Sequence, residues 1–136
     1  MIDKRNFRRI NFENSILLKF ENDPEKVIEA RLLDISFVGL SIFLKESASV
    51  GVIIQSIVQF DVPSSPEPHL IGTGKIVHLK NCRLYAQDGL RIGLEFIEVQ
   101  KEIVLSIINR AELKNLEQIR KNSQILDKNP GYFRQN

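Results

Sequence analysis

The sequence predicts a mainly β fold, a small closed or nearly closed antiparallel barrel followed by one C-terminal α-helix. Three observations support this prediction. Several short stretches alternate apolar and polar residues, as half-buried strands do. Turn-forming residues separate these stretches at hairpin spacing. After Val99 the apolar residues recur at helical spacing instead, so a long helix is expected to end the domain.

The candidate strands are taken from the alternating stretches in chain order. They cover residues 15–20, 27–35, 40–44, 52–62, 71–79 and 91–97. The run Glu21-Asn22-Asp23-Pro24 is a turn signal between the first two. The prolines at 63, 66 and 68 predict a stiff exposed loop, and residues 81–88 predict a turn-rich connection with a short strand at Leu84 and Tyr85.

The helix is predicted over residues 100–121, because an apolar stripe recurs there and no proline interrupts it. It is expected to cover one open end or side of the barrel. A helix of this length outruns a small barrel, which leaves Leu116 and Ile119 available to a partner. The expected organisation is an arginine-rich arm (1–12), a barrel with its helix (13–121) and a flexible tail (122–136).

Composition restricts the class of protein. The 136 residues fit one domain, and a hydrophobic fraction of 43% provides a core. A net charge of +2 argues against a broad nucleic-acid-binding surface. Cys82 is the only cysteine, and the two histidines lack partners at metal-ligand spacing, so neither a disulfide nor a metal site is expected. No stretch is long enough to span a bilayer, and the charged N-terminus is no secretory signal, so a soluble cytoplasmic protein is expected.

Enzymatic activity is not expected. The sequence contains no nucleophile elbow, no phosphate-binding glycine loop and no paired metal ligands. No cofactor is predicted either.

The N-terminal arm concentrates positive charge. Lys4, Arg5, Arg8 and Arg9 surround Phe7 and supply four of the chain's 19 basic residues. The arginine side chain presents a planar fork of donors that matches phosphate oxygens and stacks on flat rings. The arm therefore resembles an anion clamp, although a solvated basic tail is the alternative when the arm is considered alone.

A second element, Asp34-Ile35-Ser36-Phe37-Val38-Gly39, makes the anion clamp more specific. On a strand, Asp34 and Ser36 would project from the same face. Their oxygens accept hydrogen bonds, and Gly39 leaves room for a bend or for a ligand. Local turn chemistry is the other role of these residues, and it is compatible with binding. Acceptors beside an arginine arm suit a guanine nucleotide.

Together these residues resemble the PilZ domain family. Arg5-Asn6-Phe7-Arg8-Arg9 fits its RxxxR motif, residues 34–39 fit its (D/N)xSxxG motif, and Gly93-Leu94-Glu95-Phe96 before a helix is similar to the end of that domain. The resemblance covers residues 4–115. It implies a six-stranded barrel that binds the bacterial second messenger cyclic di-GMP under its arginine-rich arm. The implied ligand-binding residues are Arg5, Arg8, Arg9, Asp34, Ser36 and Gly39.

One position departs from the family pattern. Many members have two adjacent basic residues at the start of the arm motif, and here Asn6 stands at the second. An alternative register would use Lys4, Arg5 and Arg8. The apolar residues after Arg9 follow it as in the family, which favours Arg5 and Arg9, with Arg8 as a substitute for the missing neighbour.

The leading functional hypothesis is a stand-alone cyclic di-GMP receptor, a monomer or weak homodimer that signals to an unidentified downstream protein. The alternative is a PilZ-like protein-interaction adaptor that does not bind nucleotide. A small nucleic-acid-binding barrel is a third hypothesis, and the scarcity of aromatic residues for base stacking on the strands argues against it. Motility, polysaccharide synthesis, adhesion and virulence control are all compatible downstream processes.

Overall fold

The computed structural model describes residues 8–45, 52–63 and 68–127, with side chains through residue 122. The elements are β1 (Ile10–Phe20), β2 (Asp23–Ile35), β3 (Gly39–Lys45), β4 (Ile57–Val62), β5 (Leu70–Leu84), β6 (Gln87–Val99) and α1 (Lys101–Asp127). The six antiparallel strands close into a barrel in the order β1-β2-β3-β6-β5-β4. The predicted fold class, a six-stranded barrel with a C-terminal helix, is confirmed.

The barrel interior follows the alternation visible in the sequence. In β1, Ile16 and Leu18 are fully buried, whereas Leu17 between them is 36% exposed. The same alternation continues through Ala30 and Leu32 of β2. These strands therefore contribute one apolar face to a common core and one face to the outside. Strand β3 differs, because its residues are buried from Gly39 to Leu44.

Helix α1 completes this core. Its buried residues Val104, Ile107, Ile108 and Ala111 belong to the same apolar cluster as the barrel interior. The described residues after Ala111 are half-buried or exposed, and Leu113, Leu116 and Ile119 are more than half exposed. The second half of the helix thus extends past the barrel. No helix in the described part of the chain is apolar over a length that would cross a membrane.

Several predicted boundaries were wrong. Strand β1 begins at Ile10, inside the predicted arm, and β4 begins at Ile57 rather than at residue 52. Gln55 has a left-handed backbone (φ 76°) in a turn before β4, and its N–H donates to the carbonyl of Ile76 at 2.8 Å. Helix α1 continues to Asp127, into the predicted tail. The rest of that tail, residues 128–136, lies outside the described residues.

The predicted turn-rich connection at residues 81–88 is instead the tip of a continuous β5–β6 hairpin. Leu84 pairs with Gln87, so only Tyr85 and Ala86 form the loop. Both have positive φ, 52° and 62°, as a type I′ turn requires. Neither is a glycine or asparagine, so the usual sequence signal for this turn is absent.

Replacing Ala86 with glycine is expected to stabilise the fold by about 0.5–1 kcal/mol. Ala86 is exposed and has a left-handed φ of 62°, which costs an L-residue roughly 1–2 kcal/mol, partly offset by the greater chain entropy of glycine when unfolded. Urea unfolding would show a higher midpoint. An unchanged or lower midpoint would contradict the expected relief of strain.

Candidate functional site

A β-bulge in β2 brings Asp34 to the outside of the barrel. Leu32 faces Ile42 of β3 and Asp34 faces the next residue, Ser41, so Leu33 is one extra residue on β2. With strict alternation Asp34 would follow Leu32 into the barrel interior. The bulge shifts the alternation by one residue, and Ile35 becomes the buried residue instead, with no exposed surface.

Asp34 lies at the centre of a polar network that joins the arm to three strands. Its Oδ1 accepts a hydrogen bond from Arg9 Nη1 at 3.0 Å, and its Oδ2 accepts one from Arg91 Nη2 at 2.9 Å. Arg9 Nη1 also donates to Ser41 Oγ at 2.8 Å. The network therefore connects the start of β1 with β2, β3 and β6.

Burial differs sharply between the two sides of this network. The Asp34 side chain is only 8% exposed, whereas both arginine side chains are 50% exposed. A carboxylate with so little contact with water needs charged or hydrogen-bonded partners. The arginines retain access to solvent, so their remaining donors lie where an anion can reach them.

Ser36 lies beyond the end of β2, so the prediction that it shares a strand face with Asp34 was wrong. Its hydroxyl donates to the carbonyl of Gly39 at 3.3 Å and accepts from the N–H of Val38 at 3.2 Å. Its backbone N–H also donates to that carbonyl, at 2.9 Å. Ser36 is 2% exposed and holds the tight turn between β2 and β3.

Gly39 is required by the close approach of β6 rather than by open space. A Cβ atom built on Gly39 would collide with the carbonyl oxygen of Leu94 and lie 3.3 Å from Cα of Glu95. The space expected beside Gly39 for a bend or a ligand is thus filled by the neighbouring backbone. Ser36 and Gly39 together fix the turn that follows Asp34.

The described end of the arm reaches two parts of the fold. While Arg9 contacts Asp34, Arg8 Nη2 contacts Glu112 Oε1 of helix α1 at 2.9 Å. Both partners of this second pair are substantially exposed, so it adds little to stability. Arg5 lies outside the described residues, as does Asn6.

Sequence reasoning missed Ser41 and Arg91. A signal for Ser41 was present, because a hairpin that turns over residues 36–39 places Asp34 opposite Ser41. Ser41 is also the polar residue in the apolar run of β3. Arg91 had no such local signal, since its approach to Asp34 depends on the pairing of β3 with β6, distant in sequence.

A second polar cluster joins the β5–β6 tip to the first two strands. Glu13 accepts hydrogen bonds from Arg31 Nη2 at 2.7 Å and from the Tyr85 hydroxyl at 2.8 Å. The Arg31 guanidinium lies 4.8 Å from the centre of the Tyr85 ring. The hydrogen bond from Arg31, and then that from Tyr85, lower the pKa of Glu13 below its ordinary value of 4.5.

This cluster predicts a stability contribution that depends on pH. The pKa of Glu13 is lower in the folded state than in the unfolded state. Ionised Glu13 therefore adds its full contribution to the free energy of unfolding above pH 4.5, and that contribution is lost as the pH falls through the folded-state pKa. We expect Glu13→Gln to lower the urea midpoint slightly at neutral pH and to match the parent protein in strong acid. Glu25→Gln, at an exposed position of β2, is the control. A Glu13→Gln deficit that persists unchanged in acid would contradict this assignment.

No group of three or more His, Cys, Asp or Glu side chains able to hold a metal ion occurs among the residues that the structure describes. The site chemistry described above consists of arginine donors around a shielded carboxylate. Such a site recognises ligands that combine anionic oxygens with hydrogen-bonding edges.

The combination of a closed six-stranded barrel, an arginine-bearing N-terminal segment and a C-terminal helix matches a known domain. The PilZ domain profile matches residues 3–111, which is most of the chain. The chain belongs to the PilZ domain family. No curated protein matches the sequence.

Solved structures with the same fold extend this finding. The PilZ domain with c-di-GMP of YcgR from Escherichia coli matches with a TM-score of 0.73 and 15% identity, over 88% of this chain and 99% of that chain. The Bacillus subtilis inhibitor of motility (MotI/DgrA) matches with a TM-score of 0.66 and 13% identity, over 85% and 53%. The K. pneumonia MrkH–c-di-GMP complex matches with a TM-score of 0.65 and 10% identity, over 90% and 57%. The chain thus spans the YcgR domain and about half the length of the other two proteins.

Proposed function

We propose that this protein is a cyclic di-GMP receptor that binds the dinucleotide between its arginine arm and the barrel face around Asp34. The observation that carries the proposal is the shielded Asp34 carboxylate, which a β-bulge turns outward and which contacts Arg9 of the arm. Two structures with the same fold are described as complexes with c-di-GMP. The proposed role is that of a receptor rather than an enzyme.

The chemistry of the ligand suits this network. Cyclic di-GMP carries two phosphates and two guanines. A guanine edge presents the N7 and O6 acceptors, which suit a bidentate arginine, and the N2 donor, which suits a carboxylate. Arg9, with Arg5 and Arg8, would contact phosphates and guanine acceptors, and Asp34 would accept hydrogen bonds from guanine. Ser36 and Gly39 would keep the turn beside the ligand in place.

Binding would require the arm arginines to exchange partners. Arg9 and Arg8 each contact a carboxylate in the structure, Asp34 and Glu112 respectively. The Arg8–Glu112 pair is exposed on both sides, so Arg8 can turn toward a phosphate at small cost. Asp34 is shielded, so the release of Arg9 depends on Arg91 and on the guanine donors that would take its place at the carboxylate. We propose that this exchange closes the arm over the ligand and changes the surface formed by arm, barrel and helix.

We further propose that this surface engages a downstream protein. The exposed apolar residues Leu113, Leu116 and Ile119 on the helix are the observation that favours a protein partner. They also favour the alternative of an adaptor that ignores nucleotide. An affinity pull-down with and without cyclic di-GMP separates the two. A partner set that responds to the nucleotide supports the receptor, and an indifferent set supports the adaptor.

Isothermal titration calorimetry at low salt tests the receptor proposal directly. Saturable heat is expected with cyclic di-GMP at micromolar concentration, together with a stoichiometry that distinguishes one ligand from a stacked pair. Cyclic di-AMP is the control, because adenine lacks the O6 acceptor and the N2 donor of guanine. Absence of binding at tens of micromolar cyclic di-GMP would overturn the proposal.

A further inference from the structure

A cavity of about 620 Å³ lies between the barrel and helix α1, beside the Asp34 network. Its size falls within the range of small-molecule sites. Its lining comes from β1, β2, the β5–β6 hairpin and the helix: Asn11, Phe12, Glu13, Leu33, Asp34, Leu84, Arg91, Arg110, Ala111, Lys114, Asn115 and Gln118. The helix therefore supplies part of this lining, and none of these helix residues was among the predicted ligand-binding residues.

The lining combines three kinds of surface. Phe12, Leu33 and Leu84 provide apolar walls on the barrel side. Asn115 and Gln118 provide amides on the helix side, able both to donate and to accept hydrogen bonds. A flat ring with a polar edge, such as a purine base, needs this combination of apolar faces and amide partners.

Positive charge surrounds the same cavity. Arg110 and Lys114 are one helical turn apart and both line it, and Arg91 lines it from β6. The arm adds Arg9, bonded to the lining residue Asp34, and Arg8, bonded to Glu112 next to the lining residue Ala111.

The lining carboxylates are already engaged by arginine. Glu13 is paired with Arg31, and Asp34 with Arg9 and Arg91. The cavity therefore favours an anionic ligand, with the helix cations on the side opposite the barrel.

We infer that helix α1 forms half of the nucleotide site: one guanine of cyclic di-GMP enters this cavity, and its adjoining phosphate lies against Lys114 and Arg110. This inference rests on the proposed function and adds a helix-borne subsite to it. The arm and the helix then hold the dinucleotide from two sides, with the Asp34 network between them.

Charge reversal on the helix tests the phosphate contact. Lys114→Glu is expected to weaken cyclic di-GMP binding about tenfold in titration calorimetry, since it removes a charge-assisted contact and introduces repulsion. Lys121→Glu makes the same change on the same helix outside the cavity lining and is expected to leave affinity unchanged. Both residues are exposed, so both variants are expected to melt like the parent protein in circular dichroism.

A tryptophan reporter tests the base subsite separately. The chain has no tryptophan, so Gln118→Trp places a single fluorophore at the cavity, and Glu117→Trp places one on the helix outside its lining. Saturating cyclic di-GMP is expected to quench only the first. If the parent protein binds the nucleotide while Lys114→Glu keeps full affinity and neither tryptophan responds, the helix subsite is wrong and the receptor proposal stands. If the parent protein does not bind, both fail.

Discussion

Replacing Asp34 with alanine is expected to weaken cyclic di-GMP binding at least tenfold, a loss of about 1.4 kcal/mol or more in binding free energy. The substitution removes the shielded carboxylate that we propose accepts guanine hydrogen bonds. It also leaves Arg9 and Arg91 without the oxygens to which they donate at 3.0 and 2.9 Å. Arg9→Ala is expected to cause a loss of at least the same size. Calorimetric titration of both variants measures the effect.

Controls separate lost contacts from lost folding. Glu25→Ala and Lys26→Ala, at exposed positions of the same strand β2, are expected to bind as the parent protein does. The Arg9 side chain is 50% exposed, so Arg9→Ala is expected to fold even if Asp34→Ala proves unstable. Near-unchanged affinity in a folded Arg9→Ala variant and in Asp34→Ala would show that the site is misassigned.

Gly39→Val is expected to destabilise the barrel by about 2 kcal/mol or more. A Cβ atom at this position collides with the backbone carbonyl of Leu94, which cannot move without separating β3 from β6. Overpacking in a well-packed interior costs roughly 1–3 kcal/mol, and here the obstacle is rigid backbone rather than a flexible side chain. Urea unfolding measures the change in free energy.

A second glycine provides the matched comparison. At Gly74, an added Cβ would lie 3.2 Å from the carbonyl oxygen of Glu95, a tight contact but a smaller overlap than at Gly39. Gly74→Ala is therefore expected to cost less than Gly39→Ala. The reverse order, or a Gly39→Val variant as stable as the parent protein, would refute the close-approach explanation.

The sequence was sufficient to predict the fold class because local alternation carries the information about strands and the helix. Ile16 and Leu18 face the core as their spacing predicts, and the stripe from Val104 to Ala111 is buried as expected. Local patterns did not reveal the β5–β6 tip, since Tyr85 and Ala86 adopt a glycine-like conformation without the usual turn residues.

The candidate site was only partly predictable, because local sequence patterns do not show which distant strands pair. The motif residues identified Arg9 and Asp34 from their chemistry, and the structure joins them directly. Arg91 depends on strand pairing between distant parts of the chain, and the bulge at Leu33 depends on the register with β3. Neither property is encoded within a short window of sequence.

The bulge at Leu33 divides strand β2 into two segments that turn opposite sets of positions, even-numbered and then odd-numbered, toward the barrel interior. Before it, the even-numbered positions Ala30 and Leu32 build the barrel interior, and after it the interior frame passes to Ile35. Core residues upstream can therefore change without redirecting Asp34. Deletion of Leu33 would place Asp34 directly after Leu32, so regular alternation would keep the carboxylate outside and Ile35 inside. If Leu33 instead paired regularly with β3, Asp34 would turn away from its arginines into the apolar centre of the barrel.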